Sequence, residues 1–104
     1  MRLALALVAA ALLAAPAAAQ RTAPARACGR ITVLLGGNDF SYRIVLESGH
    51  ATCTSARFTL RTFIVRSVTP RGWFCARGHS ADKWAAACAR KSPRALVRAY
   101  LIAG

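Results

Sequence analysis

The clearest structural signal in the sequence is RITVLLGGNDFSYRIVLE, from Arg30 to Glu47. It contains two apolar runs on either side of Gly36-Gly37-Asn38-Asp39, a sequence typical of tight turns. Side chains alternate between the two faces of a strand, and a two-residue turn at Gly37-Asn38 sorts the apolar residues onto one face. These residues are Ile31, Val33, Leu35, Phe40, Tyr42, Ile44 and Leu46. The sequence therefore predicts an antiparallel hairpin with one face in the core.

After Gly49 the apolar period changes to that of a helix. Thr52 is a suitable N-cap, and an apolar stripe follows at helical spacing as far as Arg66. The stripe consists of Cys53, Ala56, Leu60, Phe63 and Ile64. We expect this helix to pack with its stripe on the hairpin.

The opposite side of the predicted helix has a mixed character. Phe58 and Val65 lie there, close to Arg57 and Arg61. Two interpretations are open. Either the C-terminal strands or a loop cover the two apolar residues, or they form an exposed apolar and cationic patch for a partner or a membrane surface.

The C-terminal third also allows two interpretations. Thr69–Gly72 turns the chain, and Trp73–Arg77 has the pattern of a strand. Ser92-Pro93 has the pattern of an N-cap and a first helical residue. However, apolar and polar residues alternate from Arg94 to Ala103, which suits a strand. Local rules leave both possibilities open for this last segment.

The N-terminus is typical of a secretory signal peptide. Met1-Arg2 supplies a positive charge, Leu3–Leu13 is an uninterrupted apolar run, and Ala17-Ala18-Ala19 is a small-residue cleavage site. A membrane-spanning helix needs roughly twenty apolar residues, more than this run contains. We therefore predict cleavage near Ala19 and secretion to the periplasm or the medium. The predicted division is a signal peptide over residues 1–19, a flexible lead-in over residues 20–27 and a domain over residues 28–104.

Length and charge limit the classes of function. A chain of 104 residues has room for one small domain, which excludes a multidomain enzyme. It contains 15 Lys and Arg against three Asp and Glu, and removal of residues 1–19 leaves 85 residues with a net charge of +11. Such a charge attracts phosphate-rich partners. A GC-rich coding sequence also produces many arginines, so the charge is either functional or compositional.

Three short motifs carry a resemblance to other proteins. They are Thr52-Cys53-Thr54-Ser55-Ala56-Arg57, Gly72-Trp73-Phe74-Cys75 and Ala86-Ala87-Cys88. Over residues 28–101 the chain resembles a group of small exported bacterial domains of the actinobacterial type, which share Cys-x-x-Ala-Arg and Gly-Trp-x-Cys motifs and whose function is uncharacterised. The resemblance implies a compact α+β domain whose last segments are strands. It implies no catalytic residue.

Four cysteines in an exported chain predict two disulfides, with three possible connectivities. If strands follow Trp73, as the resemblance implies, Cys75 and Cys88 face each other across a hairpin. Cys28 then pairs with Cys53, because the first strand starts close to the start of the helix. Strict alternation places Cys28 on the polar face of its strand, unless the following glycine bends the chain.

Catalytic and metal chemistry has weaker support in the sequence. A tetrahedral zinc site would use two cysteines and two histidines, at His50, Cys53, Cys75 and His79. Oxidation of the cysteines would remove two of these ligands. His50, His79 and Lys83 are the residue types of a ribonuclease site, but their spacing does not bring them together. A Ser-His-Asp site lacks the Gly-x-Ser-x-Gly elbow. We expect no catalytic residue, no metal and no cofactor.

Positive charge remains as the main functional signal. The candidate anion-binding residues are Arg57, Arg61, Arg71, Arg77 and Arg98. Four aromatic residues either interleave with these arginines on one binding face or belong to the core. The aromatic residues are Trp73, Phe74, Trp84 and Tyr100.

Together these patterns predict an α+β fold, a single small domain with one helix packed on an antiparallel sheet, in the order β-β-α-β-β-β, with two disulfides. We expect a secreted, non-enzymatic, cationic protein with a binding or structural role in the cell envelope or the medium. Its expected partners are anionic envelope polymers or lipid surfaces rather than nucleic acid, a protein partner is open, and the expected state is a monomer. The alternative is a small secreted effector, either a cationic toxin or an inhibitor of an exported hydrolase that uses the Arg77–Lys83 loop.

Overall fold

The computed structural model describes residues 24–103, which form one helix and five strands. The elements are β1 (Arg26–Leu35), β2 (Asn38–Gly49), α1 (Cys53–Arg66), β3 (Trp73–Arg77), β4 (Ala86–Lys91) and β5 (Arg94–Ala103). The strands form one antiparallel sheet in the order β1-β2-β5-β4-β3, and α1 packs on one face of it. The predicted α+β fold is confirmed. The predicted signal peptide, residues 1–19, and the first part of the lead-in, residues 20–23, lie outside the described residues.

The β1–β2 hairpin has the predicted core face but a different turn. Leu35 pairs with Asn38, so the turn consists of Gly36-Gly37 and not of Gly37-Asn38. Both glycines have a positive φ, 58° and 86°, as a type I′ turn requires. The partner of each β1 residue thereby changes by two positions along β2. A shift of two leaves every side chain on the same face, which is why the faces are nevertheless correct.

A bulge near the start of β1 turns Cys28 towards the core. One extra residue of β1 lies between the pairings of Ala27 and Arg30 with β2, and Gly29 has a φ of 78° there. Cys28 is buried as a result, whereas strict alternation would place it on the polar face. β1 begins at Arg26, so two residues of the predicted lead-in, Arg26 and Ala27, belong to this strand.

The C-terminal segment is a β-hairpin and not a helix. Lys91 pairs with Arg94, which leaves Ser92-Pro93 as the turn between β4 and β5. β5 lies between β2 and β4, and alternate residues of it, Ala95 and Val97 among them, are buried. A strand that pairs on both sides and fills the core outweighs a local capping pattern, which contributes only about 1 kcal/mol.

The helix has the predicted bounds. The hydroxyl of Thr52 accepts a hydrogen bond of 3.0 Å from the backbone N–H of Ser55, and the chain leaves the helix at Ser67 in the left-handed conformation. The buried face consists of Ala56, Thr59, Leu60, Phe63 and Ile64. This face packs on the sheet, mostly against β1. Within residues 24–103, no helix has both the length and the apolar character that a membrane span requires.

Both predicted disulfides are confirmed. The bond between Cys28 and Cys53 joins the start of β1 to the first residue of α1. Cys75 and Cys88 are direct partners on β3 and β4 and are bonded to each other. Since none of the four cysteines is free, the zinc alternative, which needs two thiolates, is wrong.

Candidate functional site

Two of the candidate arginines bind the outer edge of the sheet. β1 is an edge strand, and Nη1 of Arg57 donates to the backbone carbonyl of Cys28 at 2.8 Å. Nη1 of Arg61 donates to the carbonyl of Thr32 at 3.2 Å. An unpaired strand edge is a template for pairing with other chains, so these contacts both hold α1 to β1 and protect its edge. Part of the hydrogen-bonding capacity of both arginines is therefore used by the fold.

A third candidate, Arg77, binds the end of the helix. Its Nη2 donates to the hydroxyl of Ser67 at 2.7 Å and to the carbonyl of Phe63 at 3.4 Å. Its guanidinium also lies 5.0 Å from the centre of the Phe63 ring. A cation in this place stabilises the negative end of the helix dipole. Arg71, by contrast, lies exposed in the turn before β3.

The fifth candidate, Arg98, belongs to a cluster on the sheet face opposite α1. It forms an ion pair of 3.8 Å with Glu47, and the hydroxyl of Tyr100 donates to the same carboxylate. The guanidinium of Arg98 lies 5.4 Å from the centre of the Trp84 ring, and that of Arg43 lies 4.5 Å from the centre of the Tyr100 ring. We call these five residues the sheet-face cluster. The sequence singles out three of them and misses Arg43 and Glu47.

Contacts within the sheet-face cluster keep the phenol of Tyr100 protonated. The hydrogen bond to Glu47 raises the pKa of Tyr100 above its ordinary value, and burial and the charge of Glu47 act in the same direction. Arg98 opposes them, but the net pKa is raised. The protonated phenol stabilises the fold fully at a pH below the ordinary pKa of tyrosine. This stabilisation is lost as the pH rises through the raised pKa of Tyr100. The phenol is thus a neutral hydrogen-bond donor and not an acid or base tuned to neutral pH.

The other two aromatic residues lie on opposite faces of β3. Trp73 is buried in the core, and the guanidinium of Arg90 lies 4.7 Å from the centre of its ring. Phe74 points to the opposite face and is 65% exposed. A single face that combines all four aromatic residues with the arginines is therefore not formed, because Trp73 belongs to the core.

The two histidines lie at opposite ends of β4. The backbone N–H of His50 donates to the carbonyl of Arg94, beside the β4–β5 turn. His79 follows β3 at the other end, where its backbone N–H donates to the carboxylate of Asp82. β4 has six residues, so it separates the two positions by about 17 Å. The described residues thus form no ribonuclease arrangement with Lys83, and they contain no group of three or more His, Cys, Asp and Glu that could hold a metal ion.

A groove of about 580 Å³ lies at the N-terminal end of α1. Arg26 and Arg90 line it, and both donate to backbone carbonyls of the segment between β2 and α1, those of Ala51 and His50. Arg90 also donates to the carbonyl of Pro93. These arginines hold the segment to β1 and to the β4–β5 turn, so much of their hydrogen-bonding capacity serves the fold.

A second groove, of about 520 Å³, lies between α1 and β1, and we call it the helix groove. Phe58 and Val65 of α1 and Leu34 of β1 line it together with Arg61 and Arg66. The C-terminal strands extend the sheet instead of covering the helix. The interpretation in which they or a loop cover Phe58 and Val65 is therefore wrong, and these residues are exposed by 63% and 45%.

Most of the positive charge is not balanced by acidic residues. Residues 24–103 contain 13 Lys and Arg but only three Asp and Glu, and the one ion pair among them is that of Arg98 and Glu47. Several basic side chains are exposed on the surface, namely Arg30, Arg66, Arg71, Lys91 and Arg94. The domain therefore presents a positive surface to any partner.

Comparison with known proteins does not identify a family. No family model, no curated protein and no solved structure matches this chain. The resemblance to the exported bacterial domains stays a prediction.

Proposed function

We propose that the protein is an exported, non-enzymatic binding domain that attaches to anionic polymers or lipids of the cell envelope through its unbalanced basic side chains. The observation that carries this proposal is the ratio of 13 basic to three acidic side chains in residues 24–103, with a single ion pair between them. Such a surface produces a positive potential that attracts and concentrates phosphate-rich partners.

Export is supported by the disulfides and by the N-terminal sequence. Disulfides persist in oxidising compartments and are rare in the cytosol, and all four cysteines of this chain are bonded. Residues 1–19 have the pattern of a secretory signal peptide. An exported cationic domain meets anionic envelope polymers and lipid headgroups directly.

The side chains that commonly carry catalysis have structural roles or lie apart in this fold. The two histidines are separated by the length of β4, and the cysteines are bonded to each other. Tyr100 is held as a neutral donor by Glu47. These arrangements favour binding over catalysis as the function of the domain.

Binding to phosphatidylglycerol vesicles and to soluble polyphosphate should weaken steeply with salt. Each phosphate that a basic side chain neutralises releases a counterion, so we expect the affinity to fall at least about tenfold between about 50 and 200 mM salt. Co-sedimentation of the oxidised mature protein with vesicles over a series of salt concentrations measures the slope. Equal affinity at the two concentrations would contradict the proposal.

Substitution of two pairs of exposed basic residues tests which end of the helix lies near the bound phosphates. Arg66 and Arg71 lie at the C-terminal end of α1, whereas Lys91 and Arg94 flank the β4–β5 turn near its N-terminal end. Replacing either pair by glutamine removes two charges and should reduce the salt slope by up to about two if both residues contact phosphates. The two arginines that bind the β1 edge are unsuitable, because their removal also frees backbone carbonyls. If the charge is only a result of composition, we expect weak binding by the parent protein and no change in the salt slope when either pair is replaced.

The alternative function, a small secreted effector, has one structural feature in its favour. The loop between β3 and β4 is closed at its base by the bond of Cys75 and Cys88 and is braced inside by the contact of His79 with Asp82. A rigid exposed loop loses little conformational freedom on binding, which suits an inhibitor. Loss of a hydrolase partner in Lys83→Ala, with vesicle binding unchanged, would favour this alternative.

A further inference from the structure

We infer that the helix groove and the outer side of α1 dock onto the surface of an anionic lipid bilayer. This inference rests on the proposed function and names both the face and the partner. Its starting point is a pair of apolar side chains on the outer side of α1, Phe58 and Val65, which are exposed by 63% and 45%. They line one groove together with Arg61 and Arg66. Single exposed apolar residues are ordinary, whereas a contiguous group edged by one sign of charge marks an interaction surface.

The helix has the geometry that interfacial binding requires. Its inner side fills the core, while Phe58, Thr62 and Val65 follow each other on the outer side at a spacing of four and then three residues. A helix of 14 residues is about 21 Å long. Lying flat, it would place its apolar side chains at the boundary between headgroups and acyl chains, with its basic side chains at the phosphates.

The charge of α1 and of the turn after it complements an anionic bilayer. Residues 48–81 contain five arginines and no Asp or Glu. Arg61 and Arg66 lie in the groove itself, and Arg71 is exposed beyond the end of the helix. A single weak signal gives only marginal membrane binding, whereas apolar insertion and basic residues together give stable attachment. This surface provides both.

A bilayer fits this surface better than an extended peptide does. A peptide in the groove would bind by pairing with the outer edge of β1. Arg57 and Arg61 already occupy the carbonyls of Cys28 and Thr32 on that edge, so an added strand would have to displace them. A bilayer needs no backbone partner. A guanidinium that binds a carbonyl through one nitrogen also keeps other N–H groups for a phosphate.

The substitution Phe58→Ser tests the inference, and Phe74→Ser is its matched control. Phe74 is exposed to nearly the same extent, 65% against 63%, but it lies on the sheet face opposite α1. We expect Phe58→Ser to lower partitioning onto phosphatidylglycerol vesicles about tenfold, because the burial of its ring in the bilayer is lost. Phe74→Ser should leave partitioning unchanged. Neither side chain is in the core, and a thermal unfolding curve checks that both variants are folded.

Tryptophan at the same two positions reports insertion directly. We expect the fluorescence of Phe58→Trp to be quenched by brominated acyl chains when phosphatidylglycerol vesicles are added. Phe74→Trp should show no quenching beyond that of the parent protein, which contributes the signal of Trp73 and Trp84. Phosphatidylcholine vesicles are the control for charge, and both proteins should stay unquenched there.

The outcomes separate this inference from the proposed function. Equal partitioning of Phe58→Ser and Phe74→Ser overturns the docking face, while salt-dependent binding of both leaves the proposed function intact. Salt-independent binding of the parent protein overturns both. Binding of a soluble acidic peptide that depends on Phe58, without vesicle binding, overturns the bilayer in favour of a protein partner.

Discussion

The double substitution Cys75→Ala with Cys88→Ala should lower the free energy of unfolding by about 3 kcal/mol. The disulfide joins residues with a sequence separation of 13. Removing it gives the unfolded chain an entropy that corresponds to about 3 kcal/mol. Domains are typically stable by only about 5–15 kcal/mol, and small ones bury little surface, so this loss is a large part of the total. Urea unfolding followed by tryptophan fluorescence measures the difference from the oxidised parent.

The other disulfide provides the comparison. Cys28→Ala with Cys53→Ala opens a separation of 25, and its effect should be of similar size, because the entropy grows only with the logarithm of loop length. When the parent protein is refolded in reductant, both disulfides stay open, and it should lose the stabilising contributions of both. If the variant without Cys75 and Cys88 is as stable as the oxidised parent, that bond does not support the fold.

The second large effect is expected at Gly49, the last residue of β2. Gly49 has a φ of 82°, and a Cβ atom at this position would meet the backbone carbonyl of Arg94 at the start of β5. The left-handed conformation costs a residue with a Cβ about 1–2 kcal/mol, and overpacking typically costs about 1–3 kcal/mol. Gly49→Ala should therefore lower the free energy of unfolding by about 2–5 kcal/mol, measured by urea unfolding.

Gly72→Ala separates the two causes of this effect. Gly72 has nearly the same φ, 87°, but a Cβ atom there meets nothing within 4 Å. This variant should lose only the conformational part, about 1–2 kcal/mol. Equal losses for Gly49→Ala and Gly72→Ala would mean that β2 and β5 do not approach each other as closely as the structure shows.

The core face of the β1–β2 hairpin is predictable from sequence, but its register is not. Gly36-Gly37 and Gly37-Asn38 both suit a type I′ turn, so local preferences do not distinguish them. Both turns leave the same side chains on the same face, and alternation is therefore satisfied by either. The helix is predictable to its ends, because Thr52 marks the start and the apolar stripe runs without a break to Arg66.

Local sequence preferences do not decide the structure of the last strand, β5. The sequence Ser92-Pro93 followed by Arg94 fits the start of a helix as well as a turn between strands. What decides is the place of β5 in the middle of the sheet, where it pairs with β2 and β4. β2 is distant from β5 in the sequence, and the residues of β4 have no clear strand pattern. A local stretch of sequence around β5 therefore does not contain the information that decides its structure.

The roles of the arginines depend on the same long-range pairing. Arg57 and Arg61 bind carbonyls of β1 because β1 is at the edge of the sheet. The sheet-face cluster forms because β5 lies beside β2, which sets Tyr100 opposite Arg43. Arg98, Trp84 and Tyr100 stand out in the sequence by residue type, and Arg43 and Glu47 fall on the polar face of the hairpin. Local patterns do not, however, place these two groups side by side.

The basic residues of the domain therefore fall into two groups. Some hold the edge of β1, the end of α1 or the loop before it, as Arg57, Arg77 and Arg90 do. Others are exposed and leave the surface positive. The sequence counts both kinds alike, and only the contacts in the folded domain show which side chains are free for a partner.

Retention on the envelope fraction of its own cells shows whether this unbalanced surface attaches the domain to anionic material of the envelope. We expect the oxidised mature protein to be retained at about 50 mM salt and to be released at about 200 mM, together with anionic polymer or lipid. Retention at the higher salt by one stoichiometric protein, with nanomolar affinity, would contradict it and would indicate a shaped interface at the helix groove or the Arg77–Lys83 loop.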